Sequence, residues 1–154
     1  MILADPRTLI MDEVRRRLIL KFPGITIYEG AGSVWGEWTR ALPCIHVYEH
    51  TEECKGSKIA ATNVYQNTLP VQIEFVSKLQ NPALLFTEGR KKRLSLRQAL
   101  ELDDRFMQNK GLETEGPNLT VSYLMTANEI VHVIPGVVDV AVIYDFVYIE
   151  KFFG

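Results

Sequence analysis

At 154 residues the chain is long enough to bury a core without disulfide or metal staples, and a single domain over residues 1–154 is expected. Its 47% apolar and 23% charged residues are ordinary for a globular protein, and a net charge of −2 excludes a general polyanion binder. Two cysteines exclude a disulfide framework, and no apolar run approaches the roughly 18–20 residues of a membrane span. The opening MILADPRT lacks the basic start and apolar run of a signal peptide, so a soluble cytosolic protein is expected.

The first predicted element is a helix, ADPRTLIMDEVRRRLILKFPG. Asp5 suits the cap, Pro6 the first helical position, and Phe22-Pro23-Gly24 ends it. Ile10, Val14 and Leu18 form one apolar stripe, with Arg15, Arg16 and Lys21 elsewhere around the cylinder. A short strand follows at 25–29, a glycine-rich loop at 30–38 and a second strand at 43–50. Residues 51–67 are polar and show no clear period. LPVQIEFVSKL, residues 69–79, alternates as a half-buried strand does. Leu69, Val71, Ile73 and Phe75 line one face, and Gln72, Glu74 and Lys78 the other.

A second helix is expected over about 90–108, closed by Gly111, with Leu96, Ala99, Leu100, Phe106 and Met107 on one broad face. Strands follow near 119–126, 128–134 and 137–151. Pro135-Gly136 has the chemistry of a type II turn. Without a bulge, that turn sets Val133 opposite Val138, His132 opposite Asp139 and Val131 opposite Val140. The order α-β-β-β-α-β-β-β implies an α+β fold, a mainly antiparallel sheet with two helices packed on one face.

Candidate chemistry concentrates in PCIHVYEHTEECKG, which holds both cysteines and two of the three histidines. Cys44, His46, His50 and Cys54 invite a zinc reading. A strand argues against it, because His46 and His50 then stand roughly 13 Å apart, too far to share an ion. The preferred reading is a strand with a buried thiol and surface imidazoles. Gly30, Gly32 and Gly36 miss the dinucleotide fingerprint by one residue, and no amphipathic helix follows them. Trp35 and Trp38 in that loop either cover the core or anchor a partner. Arg90, Lys91, Lys92 and Arg93 read either as a solvated helix start or as a surface for an anionic partner. His132 is accounted for by a cross-strand pair with Asp139. No nucleophile elbow, zinc-protease or phosphate-loop motif is present, so no catalytic residues, cofactor or metal are expected.

The order of segments resembles the tail terminator proteins of long-tailed bacteriophages, over roughly residues 7–150. The resemblance lies in the N-terminal helix, the proline-led strand LPCIHVYEH, a polar excursion and the strand LPVQIEFVSK. It continues through the charged helix RKKRLSLRQALELDDRF and the closing strands TANEIVHVIPGVVDVAVIYDFVYIE. It implies a non-enzymatic virion subunit, assembled in the host cytoplasm, that forms a hexameric ring in the tail or neck. Such a ring caps the tail tube, stops its polymerisation and joins the tail to the head connector. The implied partners are further copies of the chain, the tail tube protein and the neck proteins. DNA passes the lumen without sequence recognition, and no membrane is involved. Trp35, Trp38, Arg90, Lys91, Lys92 and Arg93 are the candidate contacts. The alternatives are a neck or head-completion ring component, or a small zinc-dependent enzyme using Cys44, His46, His50 and Cys54.

Overall fold

A computed structural model describes residues 5–30, 42–50, 55–59, 64–79, 81–102, 106–108, 120–134 and 136–151. Helix α1, Pro6–Lys21, begins as its sequence requires: the Asp5 carboxylate accepts from the Arg7 amide at 2.9 Å, and Pro6 occupies the first turn. The Phe22 amide closes the last turn on the Leu18 carbonyl at 2.8 Å, and Gly24 turns the chain with φ +80°. Ile10, Val14 and Leu18 are fully buried, as their spacing predicts.

Seven strands lie in one sheet among the described residues. They are β1 (Thr26–Glu29), β2 (Cys44–Glu49), β3 (Lys55–Lys58), β4 (Val64–Lys78), β5 (Met107–Gln108), β6 (Thr120–Ile134) and β7 (Val137–Lys151). The order across the sheet is β1-β2-β4-β7-β6-β5, with β3 also paired to β4. Only β1 and β2 run parallel; the other pairings are antiparallel. Strand β4 pairs with β7 along its whole length, so β2 and β3 share its other side.

Pro70 stands inside this central strand, where a missing amide hydrogen is usually disallowed. On one side of β4, pairing with β2 ends at Val71 and pairing with β3 begins at Thr68. The Pro70 carbonyl points to that side, accepting from the His50 amide at 2.9 Å. In an extended strand the amide and carbonyl of one residue point the same way. The missing donor therefore falls in the gap between β2 and β3.

The core lies between the sheet and two helices on one face. Ile45 and Val47 from β2, Leu69, Val71, Ile73 and Phe75 from β4, and Val142, Tyr144 and Phe146 from β7 meet the α1 stripe. Helix α2, Leu85–Leu100, adds Leu96, Ala99 and Leu100. The fold is thus α+β, with a mixed but mostly antiparallel sheet and two helices over one face.

The element bounds differ from expectation in four places. Residues 51–67 contribute β3 and the start of β4, which begins at Val64 rather than 69. Helix α2 begins at Leu85, after a 3₁₀ turn at Pro82–Leu84 in which Asn81 Oδ1 accepts from the Ala83 amide at 3.1 Å. It ends at Leu100, so Phe106 enters the core from beyond the helix and Met107 belongs to β5. The expected strands at 119–126 and 128–134 are one strand, β6, whose register shifts on either side of Ala127. Gly111 lies outside the described residues.

Arg17 explains why α2 stops where it does. Its side chain is fully buried; Nη1 donates to the Leu100 carbonyl at 2.6 Å and Nη2 to the Phe106 carbonyl at 2.7 Å. The guanidinium also lies 4.5 Å from the Phe106 ring centroid and pairs through Nε with Glu13 at 3.0 Å. A side chain from α1 thus satisfies the Leu100 carbonyl that the end of α2 leaves open, and the Phe106 carbonyl of the segment beyond it.

Candidate functional site

The side-chain period of two places Cys44, His46 and Tyr48 on the sheet face opposite the helices. Their strand neighbours extend the row: Cys44 pairs with Val76 and Val76 with Asp139, while His46 pairs with Glu74 and Glu74 with Ala141. Tyr48 Oη donates to Glu74 Oε1 at 3.0 Å, and Gln72 Nε2 donates to the same oxygen at 2.6 Å. His50 Nε2 lies 2.9 Å from Gln72 Oε1. The rings of His46, Tyr48 and His50 follow one another at 5.0 and 5.2 Å.

This face is not solvated here. Cys44, Val76 and Asp139 are fully buried, and His46 and Glu74 retain 4% and 5% exposure. The buried thiol expected from the sequence is present, but His46 is not a surface imidazole. Glu74, expected on a polar outer face, is also interior. Alternation places a residue on a face without showing whether something covers that face.

Burial governs the protonation of the group. It pushes the Asp139 carboxyl up to about 7, with the Glu74 charge adding to the effect. Neither Asp139 oxygen has a hydrogen-bond partner among the described residues. Burial likewise raises the Cys44 thiol to about 11, reinforced by Asp139 and then Glu74. It lowers the His46 imidazole against the opposing pull of Glu74, and raises the Tyr48 phenol. At neutral pH the thiol and imidazole are therefore neutral, the opposite of an activated thiolate–imidazolium pair. Among the described residues no three His, Cys, Asp or Glu side chains are placed to hold a metal ion. Cys54 lies outside the described residues.

The turn register holds as the sequence implies: His132 stands opposite Asp139, Val133 opposite Val138 and Val131 opposite Val140. Gly136 takes φ +78°, the value a type II turn needs at its third residue.

The basic run sits inside α2, and the helix divides it. Arg90 and Lys91 are exposed, with Lys91 Nζ 3.6 Å from a Glu88 oxygen. Lys92 turns inward, its ammonium 4.7 Å from the Phe75 ring centroid, and Arg93 is half-buried. Beyond them Arg97 pairs with Glu101 at 2.6 Å, and Tyr144 Oη donates to Glu101 at 3.0 Å. Trp35 and Trp38 lie outside the described residues.

Sequence reading missed a second feature of this helix. Phe86, Arg90, Leu94 and Gln98 follow at intervals of four along α2, Leu102 follows two residues past its end, and all are exposed. Leu102 also lines a groove of about 480 Å³ with Leu20, Lys21 and Gln98, where the ends of α1 and α2 meet. The signal was that Phe86 and Leu94 each stand four positions from Arg90, hidden by a helix start placed too late. The chain matches no protein-family model and no curated protein.

Proposed function

We propose that this chain is a structural subunit of a long-tailed bacteriophage virion, a tail terminator that assembles into a hexameric ring. The ring caps the tail tube, stops its growth and presents a platform to the head connector. Its partners are copies of itself, the tube protein and the neck proteins, and DNA crosses the lumen without being read.

The observation that supports this most directly is the exposed row of Phe86, Leu94 and Leu102 flanked by Arg90. Apolar side chains left outside a core that is otherwise well filled are the usual mark of a surface meant for another protein. The arrangement of α1, a mostly antiparallel sheet, α2 and a long closing hairpin is in keeping with the resemblance noted from the sequence. A ring subunit needs surfaces for neighbours rather than an activated nucleophile, and the neutral Cys44 and His46 fit that economy.

Electron microscopy of the purified protein, alone and mixed with growing tail tubes, tests this. Six-fold rings seated on one tube end, with elongation arrested, are the expected result. Tubes that keep growing with bare ends, and no rings in either sample, would overturn the assignment.

A further inference from the structure

We infer that the sheet face opposite the helices is a proton-operated latch. It stays dry while the Asp139 carboxyl carries its proton, and it admits water locally, as far as Cys44, when that proton is lost. The inference does not rest on the assembly proposed above.

The two faces of the sheet are built differently. Toward the helices, β2 and β4 present Ile45, Val47, Leu69, Val71, Ile73 and Phe75, all apolar and buried. Such side chains resist wetting at any pH. The other face buries Cys44, His46, Glu74 and Asp139. A buried carboxyl is tolerated only while it is neutral or paired, so the dryness of this face depends on a proton.

Register brings the groups together. Cys44 and Asp139 both stand opposite Val76, one on each side of β4, which sets them two strand spacings apart, roughly 10 Å. Glu74 lies one step along the same face of β4, opposite His46 on one side and Ala141 on the other. On β6, His132 holds the register position opposite Asp139. Burial and then the Asp139 charge raise the Cys44 thiol, so these two groups sense each other across β4.

The two carboxyls are not equally supported. Glu74 Oε1 accepts from the Tyr48 hydroxyl and from Gln72 Nε2. Neither oxygen of Asp139 has a hydrogen-bond partner among the described residues, and His46 Nδ1 has none either. An Asp139 carboxylate would therefore stand unpaired beside a second carboxylate, and water is what would stabilise it. Burial decreases along the row, from Cys44 to the half-buried Tyr48 and His50, which gives water an entry at that end.

The sign follows from linkage. Burial and the Glu74 charge hold the Asp139 carboxyl up at about 7 in the closed face, against 3.8 in water. Opening is then favoured as pH rises between those values, by up to tenfold per pH unit, and gains nothing further above them. His46, lowered by burial, works the other way and favours opening as pH falls below 6.5. Openings of this kind occur well below the free energy of whole-chain unfolding.

Cys44 reports the opening, because a buried thiol reacts only once it is exposed. In a Cys54→Ser background, a pyridyl disulfide labels Cys44 of the parent and of an Asp139→Asn variant between pH 5 and pH 8. The ratio of the parent rate to the variant rate should climb roughly 50-fold between pH 5 and pH 7 and level off above that. Thiolate formation and His46 are common to both proteins and cancel in the ratio. In the parent, the rate should hardly change with urea below the unfolding transition, since a local opening exposes little surface. A ratio that stays flat with pH overturns the inference. Labelling whose urea dependence equals that of whole-chain unfolding overturns it as well. Circular dichroism checks that the variant folds; if Asp139→Asn does not, Asp139→Ser, which also cannot ionise, takes its place under the same outcomes.

Discussion

Arg17 of α1 donates from Nη1 to the Leu100 carbonyl at the end of α2, 2.6 Å away across 83 positions of sequence. The same guanidinium binds the Phe106 carbonyl and the Glu13 carboxylate, so one side chain ties both helices to the segment that follows them. Arg17→Ala removes these donors and leaves buried acceptors without partners. Loss of one member of a buried charged network costs about 3–5 kcal/mol. Urea unfolding should show a fall of that size, and a loss below about 1 kcal/mol would contradict the role given to Arg17.

Asp139 gives stability a particular pH dependence. A carboxyl held above its ordinary value binds its proton more tightly in the folded chain than in the unfolded one. Its contribution is full below about pH 3.8, falls as pH rises and is gone above about 7. Asp139→Asn should therefore raise the thermal midpoint at pH 8 and lose that advantage on acidification. The gain is roughly 1–3 kcal/mol once the cost of a buried amide is set against it. His46 acts in the other sense, because its lowered value makes charging it costly as pH falls below about 6.5. Comparing the variant with the parent cancels that effect. A destabilised variant at pH 8 would show that the Asp139 carboxylate is satisfied in the folded chain.

Cys44 should behave as an inert thiol. With its value raised to about 11, its thiolate fraction at pH 8 is about 100-fold below that of an ordinary cysteine, before access is considered. In a Cys54→Ser background, a disulfide reagent should modify the folded protein at least about 100-fold more slowly than the protein in urea. Equal rates would place Cys44 at an accessible, activated position.

Tyr144 supports the end of α2 from beneath, donating to the Glu101 carboxylate that also receives Arg97. The Arg97 hydrogen bond holds Glu101 below the usual carboxylate range, and the Tyr144 hydroxyl acts in the same direction. Tyr144→Phe should cost about 1–2 kcal/mol and move the Glu101 titration upward. A carboxyl-resolved NMR titration reads the second effect. No movement would mean that Arg97 alone sets the value.

Much of the fold was legible because local chemistry and tertiary structure agree. Asp5-Pro6 starts α1, alternation at Leu69 to Phe75 sets the inner face of β4, and the β6–β7 register is the one expected around Gly136. Where they disagree, the sequence misled. The basic run looks like a helix start, yet the start is the Asn81-Pro82 turn, which leaves Arg90 in mid-helix. The end of α2 is set by Arg17, whose neighbours Arg15 and Arg16 carry the same charge but face outward. Alternation put His46, Glu74 and Asp139 on the second face of the sheet, but no pattern within a strand shows that this face is buried. The surfaces offered to neighbours are harder still, since an exposed Phe86 or Leu94 becomes meaningful only once the helix phase is fixed.

The most direct test of the account is a native mass spectrum of the purified protein at micromolar concentration, which reports subunit number and bound metal together. A metal-free hexamer is the predicted result. A monomer carrying one zinc ion would contradict it and return attention to Cys44, His46, His50 and Cys54.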